Sequence, residues 1–434
     1  MHHIYAVPTH RPMSVQNVAD YFSEVDFANK TFHNDCILLF FEDTEEYLNL
    51  QTIEKTAASF QDVKYMYINR NDTRYIYDLI CRQLTKKAKS IFKKLYPNKN
   101  VNYGNVFNRI FLFAILLNAD FIYRRDSDVL IEETSTGKKI YPVEIEMSNL
   151  GKVNNNKTIY VCGGGYKEKY DLDIESLIRD NGKDYSVVRK LFSCMSIPEE
   201  HHDSIIEEEI LNNNIPFEED MIDYDSRAYP ECGNIAIFRL HRYFPSPCQD
   251  FILGSDYFFI DVSVHAKLNV VYHNRAVIHR HTQERKKEYN KVYNYWKGFL
   301  MLIDSQVYYR EFYEKYLDNR DFNNFESNLN IIGDLTCWMK EHFEEFKLNR
   351  YDKRVNMYER TLKVLSESED EQILMAVKEL PREMNLIMEE TEKSVLEHIE
   401  LIENWKKIIN TAEHIAQEAE VKKFLLEKIK GGKI

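Results

Sequence analysis

The fold is decided by a stretch that reads Ala119-Asp120-Phe121-Ile122-Tyr123-Arg124-Arg125-Asp126-Ser127-Asp128-Val129. Its apolar run predicts a short buried β-strand, and the strand ends in two aspartates one residue apart. In an open α/β fold, ligands bind at the carboxyl ends of the strands. The Asp-x-Asp pair is therefore expected at a ligand edge. Two carboxylates there suit Mg²⁺ or Mn²⁺, which take their remaining oxygen ligands from phosphates and water.

Strand and helix patterns alternate ahead of this motif. Apolar runs predict strands at Ile4–Val7, Ile37–Phe41 and Val63–Ile68, and apolar residues at helical spacing predict a helix at Gly104–Asn118. Polar residues follow each of these strands, namely Thr9 and Arg11, Glu42 and Asp43, and Asn69 and Arg70. The alternation predicts an α/β fold whose mostly parallel sheet has its ligand edge on one side.

Four pieces of residues 1–285 stand in an order that resembles the nucleotide-sugar glycosyltransferases of the GT-A fold. They are Val7-Pro8-Thr9, the helix-strand-motif unit from Asn108 to Asp128, the segments Cys232–Arg239 and Gly254–Phe259, and Val277-Ile278-His279. Two departures stand out, since Ser255 replaces the usual Glu and Arg124-Arg125 precede the motif where apolar residues are commoner. The resemblance implies a Rossmann-like GT-A sheet and transfer of a sugar from a nucleoside-diphosphate donor to an acceptor hydroxyl or amine.

A metal site is the first consequence of the resemblance. Asp128 is expected to bind Mn²⁺ or Mg²⁺ directly, and Asp126 is expected to contact the ion through water or the ribose of the nucleotide. His279 would be the third protein ligand. His281 is the substitute because residues two apart share one face of a strand. Without the upstream motif, His279 would be interpreted as an ordinary polar residue at a strand end.

Asp256 is the expected general base of an inverting transfer. A partly apolar site raises the pKa of a carboxyl group towards the working pH, and Tyr257-Phe258-Phe259 supplies apolar neighbours. The alternatives are a helix N-cap and a surface acid. Retaining members of the fold need no such base, so the stereochemistry stays open.

The resemblance also implies where the nucleotide binds. Base and ribose contacts are expected at the ends of the first two strands, from Pro8, Thr9, Arg11, and Glu42 or Asp43. Arg109 or the Arg124-Arg125 pair is expected to help neutralise the diphosphate. The alternative for these arginines is a surface ion pair. A further candidate is Gly163-Gly164-Gly165, which either lets the backbone approach a diphosphate or sugar or forms a tight turn.

Composition bounds the class of protein. The 434 residues carry a formal net charge of −13, which disfavours nonspecific binding to nucleic acid. Seven cysteines without a Cys-x-x-Cys pair argue against a disulfide framework and a zinc knuckle. The start lacks a signal-peptide pattern, and no apolar run is long enough to span a bilayer. The sequence therefore predicts a cytoplasmic enzyme with no membrane span.

From residue 286 the pattern becomes helical, which predicts a GT-A domain over 1–285 and a helical carboxyl-terminal region over 286–434. One apolar stripe runs through Val395, Ile399, Ile402, Trp405, Ile409, Ala412, Ala416 and Ala419. Its heptads are few and irregular, so packing on the first domain is favoured over a homodimer formed through the carboxyl-terminal helices.

Two other functions compete with a glycosyltransferase. A sugar nucleotidyltransferase uses similar metal chemistry, yet it usually has a glycine-rich, basic loop after its first strand, and the loop from Pro8 to Pro12 contains no glycine. A noncatalytic interaction protein on a GT-A scaffold would tolerate loss of Asp128 or Asp256, and both residues are present.

Overall fold

The structure is a computed structural model. It describes residues 2–43, 48–97, 102–167, 177, 184–195, 197–207, 217–224, 230–248, 254–279, 289–318, 331–349 and 351–432. The strands are β1 His2–Thr9, β2 Cys36–Glu42, β3 Tyr65–Asn69, β4 Ala119–Arg125, β5 Val129–Ile131, β6 Val153–Asn154, β7 Lys157–Lys167, β8 Ile222–Asp223, β9 Asn234–Phe238, β10 Asn269–His279 and β11 Ile429–Lys430.

The helices are α1 Val15–Phe32, α2 Leu50–Ala57, α3 Arg70–Gln83, α4 Lys86–Phe92, α5 Tyr103–Leu116, α6 Pro142–Asn149, α7 Ser186–Cys194, α8 Glu199–Ile205, α9 Phe258–His265, α10 Tyr289–Phe312, α11 Ile331–Asn349, α12 Tyr351–Leu365, α13 Glu371–Ile415 and α14 Ala419–Lys428. None of the helices in the described part of the chain combines the length and the apolar character that a membrane span requires.

One mixed sheet organises the chain, in the order β11-β3-β2-β1-β4-β9-β7-β10-β5. Strands β3, β2, β1 and β4 are parallel to one another, and β7 is parallel to β10. Strand β9 is antiparallel to both β4 and β7, so these two strands run in the same direction. Six strands therefore end at one edge, and the predicted fold class is confirmed as an α/β fold with a mostly parallel sheet and an added helical carboxyl-terminal region.

The predicted elements before Asp126 are confirmed, with small shifts at their ends. The first two strands cover the predicted ranges, the helix α5 ends two residues before the predicted end at Asn118, and the third strand begins two residues later than predicted, at Tyr65. Asn69 is both the last residue of β3 and the N-cap of α3, because its side chain accepts a hydrogen bond from the backbone N of Asp72. The chain thus turns from strand to helix directly at the ligand edge.

The glycine run 163–165 lies inside strand β7, so the tight-turn alternative is wrong. A Cβ at Gly163 would collide with the backbone of Asn234, and one at Gly164 would collide with the carbonyl groups of His273 and Arg275. The glycines therefore allow β7 to lie unusually close to the segments on both sides of it. Whether this backbone approaches a sugar or a diphosphate stays a prediction.

A buried ionic network lies beneath the end of β4. The Arg125 guanidinium donates to Glu24 of α1 at 2.8 Å and to both oxygens of Glu146 of α6 at 3.0 and 2.8 Å. All three side chains are fully buried. Burial alone would raise the pKa of the Glu146 carboxyl group, but Arg125 and His273 outweigh it and lower that pKa. Arg125 is therefore a core residue, and neither a diphosphate contact nor a surface ion pair.

The apolar stripe of the carboxyl-terminal region packs within the chain. The 45-residue helix α13 contains most of it, and Val395, Ile399 and Trp405 belong to the same buried cluster as the strands of the sheet. Ala419 is the exception, since it is exposed. Trp405 Nε1 also donates to the carbonyl of His241 at 3.0 Å. The domain boundary at 285/286 stays a prediction.

Candidate functional site

Three side chains meet where β4 and β10 end. Asp126 and Asp128 follow β4 directly, and His279 is the last residue of β10. One ligand atom of each lies within 4.8 Å of the others, and in the described part of the chain no other group of three metal-binding side chains is this close. The cause is the short strand β5, which begins right after Asp128 and pairs antiparallel with β10, with Val129 opposite His279.

Asp126 forms hydrogen bonds with four residues. Its Oδ1 accepts from Arg124 Nη2 at 2.8 Å, and its Oδ2 accepts from the Tyr166 hydroxyl at 2.8 Å. Its backbone N donates to the carbonyl of Gly233 at 3.2 Å, and its own carbonyl accepts from the Tyr21 hydroxyl at 2.7 Å. The position of this carboxylate is therefore determined by the protein itself.

Asp128 lies between an arginine and the histidine. Its Oδ2 accepts from Arg11 Nη1 at 2.7 Å, and its Oδ1 lies 3.4 Å from His279 Nε2. The loop that carries Arg11 is fixed, because the carbonyl of Arg11 accepts from the Thr9 hydroxyl at 2.7 Å and from Asn49 Nδ2 at 2.9 Å. Arg11 thus lies beside a predicted metal ligand, an arrangement that sequence reasoning missed.

The three side chains fit a divalent cation. Two carboxylates and one imidazole form a donor set that Mn²⁺ and Mg²⁺ accept, with phosphate oxygens and water as further ligands. Each Asp126 oxygen accepts one hydrogen bond from a side chain, and Asp128 Oδ1 lies beside His279 Nε2. Direct binding of the ion by Asp128 and His279 stays a prediction.

The predicted nucleotide residues gather at the ends of β1 and β2. Arg109 of α5 binds Asp43 in a bidentate ion pair, with N···O distances of 2.5 and 2.7 Å. The backbone N of Asp43 donates to the carbonyl of Thr9 at 2.8 Å, which ties this pair to the end of β1. Pro8 is buried within β1. Glu42 is buried and accepts from Asn49 Nδ2, so Asp43 is the more exposed of the two acids.

Asp256 lies in the turn before α9 and is 5% exposed. The N-cap of α9 is Tyr257, so the N-cap alternative for Asp256 is wrong, and its burial rules out the surface acid. Burial raises the pKa of the Asp256 carboxyl group, and the nearby Arg124 opposes that rise. The Oγ of Ser255 accepts from the backbone N of Gly104 at 3.1 Å, which ties this turn to the start of α5.

Arg124 links the two acidic groups. Its Nη2 donates to Asp126, and its Nη1 donates to Asp256 Oδ2 at 3.2 Å. Its guanidinium carbon lies 4.2 Å from the centre of the Phe107 ring, a cation–π contact. The metal motif and the candidate base therefore belong to one site. Alternation along β4, which directs residues 124 and 126 to one side, is the sequence signal that indicates this bridge.

Comparisons with known proteins give a family and a distant likeness. Residues 3–421 match the model of a family described as a family of unknown function, DUF6271. No curated protein is significantly similar to the chain. Similar solved structures include a mycobacterial protein, with 12% identity, 70% of this chain and 74% of that chain covered, and a TM-score of 0.34. They also include mannosyl-3-phosphoglycerate synthase from Rubrobacter xylanophilus, with 12% identity, 74% and 78% covered, and a TM-score of 0.37.

Proposed function

The chain belongs to the DUF6271 family of unknown function, and we propose that it is a metal-dependent glycosyltransferase. It would move a sugar from a nucleoside-diphosphate donor to an acceptor hydroxyl or amine. The observation that carries this proposal is the convergence of Asp126, Asp128 and His279 at the carboxyl edge of the parallel strands. Residues at this edge are placed to bind a ligand rather than to complete the core.

The proposed metal residues bind and orient the diphosphate end of the donor. Mn²⁺ or Mg²⁺ supplies a Lewis acid for the charge that develops on the departing nucleoside diphosphate. Asp128 and His279 would hold the ion, and Asp126, fixed by Arg124 and Tyr166, would complete its surroundings. Arg11 adds a positive charge beside the Asp128 carboxylate, and in this proposal it would contact phosphate oxygens of the donor.

Asp256 is the proposed base. In an inverting transfer, the acceptor atom bonds to the anomeric carbon as the bond from that carbon to the phosphate oxygen breaks. The acceptor proton passes to Asp256, and the nucleoside diphosphate leaves with the bonding electron pair. Arg124 holds Asp256 Oδ2 at 3.2 Å and thereby orients the carboxylate.

The base and ribose of the nucleotide would bind at the ends of β1 and β2. Pro8 and Thr9 form the end of one strand, and the Asp43–Arg109 ion pair lies at the end of the next. In this proposal, Asp43 would accept from nucleotide hydroxyl or amino groups, since a carboxylate retains acceptor capacity beyond one bidentate arginine.

A panel of nucleoside diphosphates and their sugars, measured by thermal shift with and without Mn²⁺, tests the proposed function. A ligand that binds the native state raises the melting temperature by mass action. We expect at least one nucleoside diphosphate to raise it in the presence of Mn²⁺ and to do so much less in its absence. If no nucleotide shifts the melting temperature under either condition, the proposal is wrong. Binding without turnover would favour the interaction-protein alternative.

His279→Ala should weaken Mn²⁺ binding by about tenfold or more, because it removes a direct ligand. His281→Ala should have a much smaller effect, since one imidazole suffices beside carboxylate, phosphate and water ligands. His281 lies outside the described residues. Isothermal titration with Mn²⁺ in the presence of the nucleotide identified by the panel compares the two variants. The reverse ranking would assign the ligand to His281.

A further inference from the structure

Tyr166, near the end of β7, contacts two of the three side chains of the candidate metal site, Asp126 and His279. Its hydroxyl donates to Asp126 Oδ2 at 2.8 Å. Its ring stacks on the His279 ring, with the centroids 4.4 Å apart and the planes 17° from parallel. Asp126 follows β4 and His279 ends β10, so a single side chain bridges ligands that come from two different strands.

The hydrogen-bond chain through Tyr166 has a determined direction. The backbone N of Gly233 donates to the Tyr166 hydroxyl oxygen at 2.9 Å. A backbone N–H can only donate, so the Tyr166 hydroxyl oxygen accepts this hydrogen bond. The hydroxyl group then donates its own hydrogen bond to Asp126 Oδ2. The Tyr166 hydroxyl therefore holds Asp126 Oδ2 in place through a donated hydrogen bond.

Gly233 is needed for this arrangement. A Cβ at position 233 would overlap both the Tyr166 hydroxyl and the Asp126 carboxylate. The backbone of Gly233 also accepts from the Asp126 backbone N at 3.2 Å. The close packing of three groups around one position lacking a side chain indicates that the hydroxyl-to-carboxylate contact is built into the site.

The Tyr166 ring restricts the orientation of the other candidate ligand, His279. His279 is 4% exposed, and its Nε2 points at Asp128 Oδ1 at 3.4 Å. A nearly parallel ring at 4.4 Å limits rotation of the imidazole about its bond to Cβ. Since a metal–nitrogen bond needs the lone pair of Nε2 aimed at the ion, the plane of the imidazole determines whether His279 can bind.

We propose that Tyr166 is a positioning residue of the divalent-cation site, which fixes the Asp126 carboxylate through its hydroxyl and the His279 imidazole through its ring. This inference rests on the proposed function, because it assumes that the three side chains bind a cation. It assigns two tasks to one residue, and the hydroxyl task can be removed while the ring is kept.

Two substitutions separate these tasks. Tyr166→Phe removes the hydroxyl and keeps the ring, whereas Tyr166→Leu removes both. Gly233→Ala displaces the hydroxyl and the carboxylate without altering Tyr166. Tyr160→Phe is the matched control, because Tyr160 lies on the same strand and is buried against Phe238. Electron paramagnetic resonance with Mn²⁺ alone measures affinity, and the nitrogen hyperfine modulation of bound Mn²⁺ reports imidazole coordination.

We expect Tyr166→Phe to weaken Mn²⁺ binding roughly tenfold with the nitrogen modulation retained. Tyr166→Leu should weaken it further and reduce the modulation, Gly233→Ala should resemble Tyr166→Phe, and Tyr160→Phe should match the wild type. A merely structural role would lower the melting temperature of the metal-free protein and leave Mn²⁺ affinity unchanged. Wild-type affinity in both Tyr166 variants overturns the inference alone. A wild-type protein that does not bind Mn²⁺ overturns the proposed function with it.

Discussion

Asp128→Asn should abolish the Mn²⁺-dependent stabilisation by nucleotide and reduce transfer by at least about two orders of magnitude. The substitution keeps the shape of the side chain and removes its charge, and the Asn carbonyl still accepts from Arg11, so the fold is expected to survive. A neutral amide is a poor ligand for a hard cation, and the diphosphate then loses the ion that holds it. Thermal shift and calorimetric titration of nucleotide, with and without Mn²⁺, measure the effect.

Asp120→Asn is the matched control for this variant. Asp120 lies on the same strand, β4, and also forms an ion pair, with Arg239 Nε at 2.8 Å, but it lies at the beginning of the strand rather than at its end. It should therefore leave the Mn²⁺ dependence unchanged. The metal assignment is wrong if Asp128→Asn binds nucleotide, with and without Mn²⁺, as tightly as the wild type binds it in the presence of Mn²⁺.

Asp256→Asn should keep donor binding and lose transfer by roughly two to four orders of magnitude, because a general base acts in the transition state more than in the bound complex. The substitution is nearly isosteric, and the amide oxygen can still accept from Arg124. Calorimetry of the donor and release of nucleotide measure both quantities. For the wild type, the transfer rate should rise with pH through the pKa of Asp256, since the base must be ionised and burial raises that pKa.

Asp261→Asn provides the comparison for Asp256. Asp261 lies on the following helix, α9, and burial raises the pKa of its carboxyl group to about 7. The hydroxyl of Tyr313 opposes that rise. A half-buried acid at this point that does not face Arg124 should be replaceable with little effect on transfer. Turnover of Asp256→Asn near the wild-type rate would instead favour a retaining reaction, which needs no base.

The strands before Asp126 and the helix α5 were predictable because their signals are local. Continuous apolar runs define β1, β2 and β4, and helical spacing of apolar residues defines α5. The position of the Asp-x-Asp pair at the end of β4 follows directly from this pattern. The stripe on α13 was predictable for the same reason, although Ala419 lies beyond the buried part of it.

The contacts within the site depend on pairing between strands that are far apart in the sequence, and a local sequence pattern does not indicate such pairing. His279 reaches Asp128 because β5 pairs with β10, two segments separated by more than a hundred residues. Tyr166 is one of 29 tyrosines, and its spacing along the chain does not distinguish it from those in the core. A tight turn was one of the two alternatives predicted for the glycine run because glycine favours turns, whereas tight packing between β9 and β10 requires the glycines within a strand.

The ion pairs of the two consecutive arginines of β4 stabilise one alignment of this strand with its neighbours. Arg124 turns towards Asp126 and Asp256, and Arg125 turns towards Glu24 and Glu146 on the other side of the sheet. A slip of one residue along β1 or β9 would exchange the two guanidinium groups and leave both glutamates buried without their partner. Because an uncompensated buried charge is strongly unfavourable, we expect misaligned states of β4 to be eliminated during folding. The ion pairs of Arg125 with Glu24 and Glu146 thus select one alignment of β4 and thereby determine the positions of Asp126 and Asp128 after its end.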